Sequence, residues 1–133
     1  MSQDALHAIV DRDSVCAADD SQSHEAPFTT NPKTTIAEFL RQAIHASPLA
    51  GIAGGQATWL IDTEGYGKGC IGVMAQQWSG PRLVLPDDTT VEQLFGNRQP
   101  TVFFRFWSQS SPEAVFQALR SGRLLRSQYA SEA

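Results

Sequence analysis

The chain has only two cysteines, Cys16 and Cys70, far apart in the sequence. They form no C-x-x-C pair and cannot build a disulfide framework, so two free thiols in a reducing compartment are expected. No apolar run approaches the roughly 20 residues of a membrane span. The first dozen residues lack a basic start followed by a long apolar stretch, so no secretory signal is expected. No Asn-x-Ser/Thr acceptor, G-x-S-x-G or H-E-x-x-H occurs, and the three histidines, His7, His24 and His45, stand apart from one another. No basic excess exists either. The net charge is -4, whereas nucleic-acid binding calls for a basic face.

The acidic excess is unevenly placed. Residues 1–34 hold Asp4, Asp11, Asp13, Asp19, Asp20 and Glu25 against Arg12 and Lys33, while acids and bases balance over the rest. This first quarter has no glycine and one aromatic, Phe28. Leu6, Ile9 and Val10 have the spacing of one amphipathic helical turn, marginal by itself. Asp, Ser, Thr, Asn and Pro dominate residues 11–33. Residues 1–34 therefore read as an acidic tail, mobile or ordered by a partner.

What the chain does have is the material for one domain. Hydrophobic residues make up 41% and charged residues 18%, as in globular proteins. The densest core signal is Thr101-Val102-Phe103-Phe104-Arg105-Phe106-Trp107. Strand alternation puts Val102, Phe104 and Phe106 on one face and Phe103, Arg105 and Trp107 on the other. A strand apolar on both faces belongs inside a covered sheet. Further strands are predicted over 57–61, over 70–77 with Ile71, Val73 and Ala75 on one alternation, and over 82–85. Helices are predicted after the capping box Thr35-Ile36-Ala37-Glu38, after Thr89-Thr90-Val91-Glu92, and after Ser111-Pro112-Glu113. The expected architecture is one α+β domain over residues 35–122. It has a mainly antiparallel sheet of about four strands, in the order α-β-β-β-α-β-α, and a frayed tail over 123–133.

Residues 71–95 run strand, tight turn, strand, acidic cap, helix. This stretch resembles the opening of a ubiquitin-like β-grasp domain, and the likeness implies a β-grasp-like fold as the alternative. It carries no diagnostic residue and implies no activity.

Candidate chemistry is sparse. Gly65-Tyr66-Gly67-Lys68-Gly69 offers backbone N–H groups and a lysine to an anion, yet a strand follows where phosphate loops lead into helices. A hairpin loop is the simpler reading. The glycines over 51–55 read as a linker. His24 and Glu25 beside Asp19 and Asp20 lack the rigid shell a metal site needs. Cys70 has no histidine placed by the sequence to activate it, and Asp62 and Glu64 sit at a turn. Arg120, Arg123 and Arg126 form a solvated basic edge. Arg105 is the sharpest problem, because an unpaired buried guanidinium is very costly. Its expected solution is an ion pair with Asp62 or Glu64.

No catalytic residue, cofactor or metal ligand is assigned. The expected function is a small non-enzymatic module of the cytoplasm that binds another protein, as an adaptor, chaperone, immunity protein or inhibitor does. Neither nucleic acid nor membrane is an expected partner. Candidate contact residues are Tyr66, Lys68, Trp78, Phe103, Arg105 and Trp107, of which the Trp, Tyr and Arg types are enriched at interface centres. Two alternatives stand beside it: a small-molecule- or anion-binding domain or enzyme using the Gly65–Gly69 loop with Lys68 and Arg105, and a homodimeric structural protein.

Overall fold

A computed structural model describes residues 5–13, 23–49, 57–107 and 111–122 of the chain. The elements run β1 (Leu6–Arg12), β2 (Ala26–Thr30), α1 (Ile36–Ala46), β3 (Thr58–Asp62), β4 (Cys70–Ala75), β5 (Arg82–Leu83), α2 (Val91–Phe95), β6 (Thr101–Phe106) and α3 (Pro112–Arg120). The class is α+β. The sheet is larger than expected and mixed. Its six strands lie in the order β2-β1-β6-β3-β4-β5. The pair β1–β6 is parallel and the other four are antiparallel.

The two extra strands come from the stretch expected to be a tail. Leu6, Ile9 and Val10 do not share a helix face. Ala8 and Val10 point into the core, fully buried, while His7 and Ile9 point the other way. Three apolar residues in five positions fit either period. The tie is broken at long range, by pairing with β6 on one side and β2 on the other. Residues 14–22, with Cys16, Asp19 and Asp20, lie outside the described residues, as do 50–56 and 123–133, with Arg123 and Arg126.

The aromatic strand sits in the middle of the sheet, as its two-sided pattern requires. Phe104 is fully buried, and Val102 and Trp107 nearly so. On one face α1 lays Ile36, Phe39, Leu40 and Ala43 over Ala8, Val10, Trp59, Ile61, Val102 and Phe104. On the other face α3 lays Val115 and Phe116 over Leu60, Val73 and Trp107. The expected alternation of β4 is broken by a bulge where the register shifts between Ile61 and Asp62. Ile71 is the additional residue. It turns toward the α1 side while Val73 stays on the α3 side.

Helix starts follow their caps. Thr35 Oγ1 accepts from Glu38 N–H, but the Glu38 carboxylate bonds Arg41 rather than closing a box. The complete box lies one residue later than expected in α2, between Thr90 and Gln93. The two Thr-Thr caps also pair with each other. Ile36 N–H donates to Thr89 O (2.9 Å) and Val91 N–H to Thr34 O (2.8 Å). The likeness of the two cap sequences thus reflects two helix starts joined by a local bridge.

Candidate functional site

The α3 side of the sheet carries the charge. Leu60 stands opposite Arg105, and Asp62 opposite Phe103, so Asp62 is the diagonal neighbour of Arg105 across the β3–β6 pair. The pair closes there. Arg105 Nε donates to Asp62 Oδ2 (2.9 Å) and Nη2 to Oδ1 (3.4 Å), with both side chains almost fully buried. Of the two carboxylates named as candidates for this pairing, Asp62 is the one used. Glu64 is exposed in the loop beyond.

The 65–69 segment is a hairpin loop that folds over this pair. Gly67 takes φ 76°, a conformation costly for any side chain, and its N–H donates to Asp62 Oδ2 (2.8 Å). The loop thereby adds a bond to the buried carboxylate and sets Tyr66 above it. The Tyr66 ring meets Phe103 edge-on at 5.3 Å and lies 5.6 Å from the Arg105 guanidinium carbon, which is 5.4 Å from the Trp107 ring on its other flank. Tyr66 is nevertheless 62% exposed.

A third acid joins them. Asp13, directly after β1, accepts the Phe106 N–H on Oδ2 (3.0 Å). Burial raises its pKa above the usual 3.8, opposed by the Phe106 bond and by Arg105, and reinforced by Asp62. Asp13 was hidden in the supposed tail. The signal that could have found it is the alternation of Ala8 and Val10 with His7, Ile9 and Asp11. Cys70 lies on the same face, its thiol pushed up to about 11 by burial and by Asp62. At neutral pH it is held as the thiol.

Four of the six candidate residues, Tyr66, Phe103, Arg105 and Trp107, therefore meet in one cluster. Trp78 packs against the apolar cluster that includes Trp107 and α3, and it holds the start of that helix. Its indole donates to Glu113 Oε2 (3.3 Å), and Arg82 stacks 4.1 Å from its ring centre. Glu113 is held below its usual carboxylate range by its own backbone N–H and by that indole. Lys68 is exposed and makes no side-chain hydrogen bond or ion pair among the described residues. His7 and His45 are exposed on β1 and at the last turn of α1, and Arg120 lies 5.9 Å from the Phe116 ring.

Beyond this cluster, among the described residues, His7, Pro27 and Thr29 are exposed on the α3 side of β1 and β2. Among the described residues no group of three or more His, Cys, Asp or Glu could hold a metal, and no helix is long and apolar enough to cross a membrane. No protein-family model, curated protein or solved structure matches the chain.

Proposed function

We propose that the chain is a β-grasp-like, non-enzymatic module of a reducing cytoplasm that binds another protein through the face carrying Tyr66. The topology supports the first part. A hairpin leads into a helix laid across the sheet, and the first strand runs parallel to the last, between two antiparallel flanks. The hairpin-then-helix opening falls on β1, β2 and α1 and not on residues 71–95.

The observation that carries the binding reading is Tyr66. It is a large, exposed aromatic held on a rigid base of Phe103 and Arg105. Such a ring binds with little loss of freedom. The rest of the face argues against chemistry. Arg105 is neutralised by Asp62, and Cys70 stays a thiol at neutral pH. The anion-binding alternative draws no support from Lys68, which stands outside the cluster.

The test is quantitative capture from extract of the native cell, comparing wild type with Tyr66→Ala. The expected result is a specific protein partner retained by the wild type and weakened at least about tenfold by the variant, roughly 1.4 kcal/mol, with an unchanged melting temperature. Capture indifferent to Tyr66, or turnover of a small molecule by the purified chain, would overturn the reading.

A further inference from the structure

We propose that two copies of this chain join edge to edge through β2, making one continuous sheet across a two-fold axis at Thr29. The joint is made by the backbone margin of β2 and not by Tyr66, and the inference does not depend on the function proposed for the Tyr66 face.

Among the described residues β2 ends its side of the sheet. Its outward groups follow from those of β1. Ile9 N–H donates to Pro100 O (3.1 Å) and Asp13 N–H to Phe104 O (3.0 Å), so the odd-numbered residues of β1 serve β6. Leu6, Ala8 and Val10 are left to bond their partners Thr30, Phe28 and Ala26. Alternation then turns the backbone of Pro27 and Thr29 outward, with Asn31 next in line.

This margin has an unusual set of groups. Thr29 offers both N–H and C=O. Pro27 offers a carbonyl and has no N–H. Asn31 offers its N–H, but its carbonyl already accepts from Thr34 N–H (3.1 Å). An antiparallel copy centred on Thr29 pairs Thr29 with Thr29 and Pro27 with Asn31. The two Thr29 residues exchange two hydrogen bonds. Each Asn31 N–H meets a Pro27 carbonyl. The donor that proline lacks falls opposite the carbonyl that Thr34 already satisfies, so no group is orphaned. A proline on an edge strand ordinarily blunts pairing. An unrelated extended peptide would set an unsatisfied carbonyl against Pro27. The chain's own edge does not, and this selects a second copy as the occupant.

The helix above the edge agrees. Between β2 and α1 runs a groove of about 380 Å³, lined by Phe28 and Thr29 below and by Glu38, Arg41, Gln42 and His45 above. The same two-fold axis lays the two α1 helices antiparallel over the seam. The Glu38 end of one then faces the Arg41 and His45 end of the other, acid against base. Thr30 Oγ1 and Gln42 Oε1, the two buried side-chain polar atoms without a hydrogen-bond partner among the described residues, both lie at this margin.

Sedimentation velocity on the full chain tests the proposal. At about 100 μM, where a Kd of about 10 μM leaves most chains paired, the wild type is expected to sediment as a dimer. Thr29→Pro deletes the central donor while the exposed Thr29 side chain leaves the interior untouched. It is expected to weaken dimerisation at least about tenfold with unchanged circular dichroism. Should that variant unfold, Thr29→Cys decides instead: a short bis-maleimide should link two copies through position 29 in good yield, against wild type and Gln77→Cys as controls. A strictly monomeric wild type overturns the proposal and leaves the margin to an unrelated strand. A dimer indifferent to a folded Thr29→Pro, or a Thr29→Cys chain that links no better than the controls, overturns it as well.

Discussion

At the scale of single residues, the Asp62–Arg105 pair bears the greatest strain if either member is lost. Each charge sits inside the sheet paired with the other, and the carboxylate takes a further bond from Gly67 N–H. Asp62→Ala leaves a guanidinium in the interior and should cost about 3–5 kcal/mol in urea unfolding. The double replacement Asp62→Leu with Arg105→Met should restore most of that loss, since an apolar pair of similar volume avoids both desolvation costs. Asp13 titrates in the opposite sense to a typical salt-bridged acid. Its native pKa is raised, so the folded state holds the proton more tightly than the unfolded chain. Its contribution is most favourable below the unfolded value of 3.8 and is lost as pH rises from there through the raised native value. Asp13→Asn should therefore flatten the urea midpoint over that window, measured as the difference from wild type at each pH. Cys70, followed in a Cys16→Ser background, should alkylate slowly at pH 8 and accelerate toward its midpoint near 11. The Arg105 pairing was legible beforehand because a buried guanidinium has so few solutions. Asp13 was not, because its burial depends on a strand pairing across most of the chain.

At the scale of elements, local signals reported helices well and sheet edges poorly. Thr35, Thr90 and Ser111 each cap a helix, because a cap needs only its own next three residues. The bulge that rotates Ile71 away from Val73 has no such local mark, since it is set by how β4 meets β3. Gly72 shows the consequence. A Cβ there would press on the Arg82 carbonyl and lie 2.8 Å from Leu83 Cδ2, so β5 can pass closely only over glycine. Gly72→Ala should push β5 away and cost about 1–3 kcal/mol, read by urea unfolding together with faster amide exchange at Val84, whose N–H donates to Ile71 O. The joint of α3 is a smaller version of the same idea. Arg82 stacks on Trp78, whose indole donates to Glu113, tying the start of that helix to the β4–β5 corner.

At the scale of the whole molecule, the chief surprise is where the sheet gets its strands. An acidic, glycine-free segment with one aromatic has the composition of a tail, yet Leu6–Arg12 and Ala26–Thr30 form one flank of the sheet. Composition reports whether a segment can fold alone. It does not report whether a distant strand will complete it. Deleting residues 1–34 should thus abolish cooperative thermal unfolding, whereas a true appendage would leave it unchanged; differential scanning calorimetry separates the two. The class of fold and the central place of the aromatic strand were readable because that strand is apolar on both sides. The mixed pairing was not, because parallel partners are joined only through the intervening chain. That arrangement also has a cost during synthesis. The inner side of β1 waits for β6, roughly 90 residues later, which at ribosomal speed takes on the order of ten seconds. Throughout that delay β1 presents the backbone groups of Ile9, Asp11 and Asp13 as an unpaired edge, so the growing chain, far more than the finished one, is the form that calls for a chaperone.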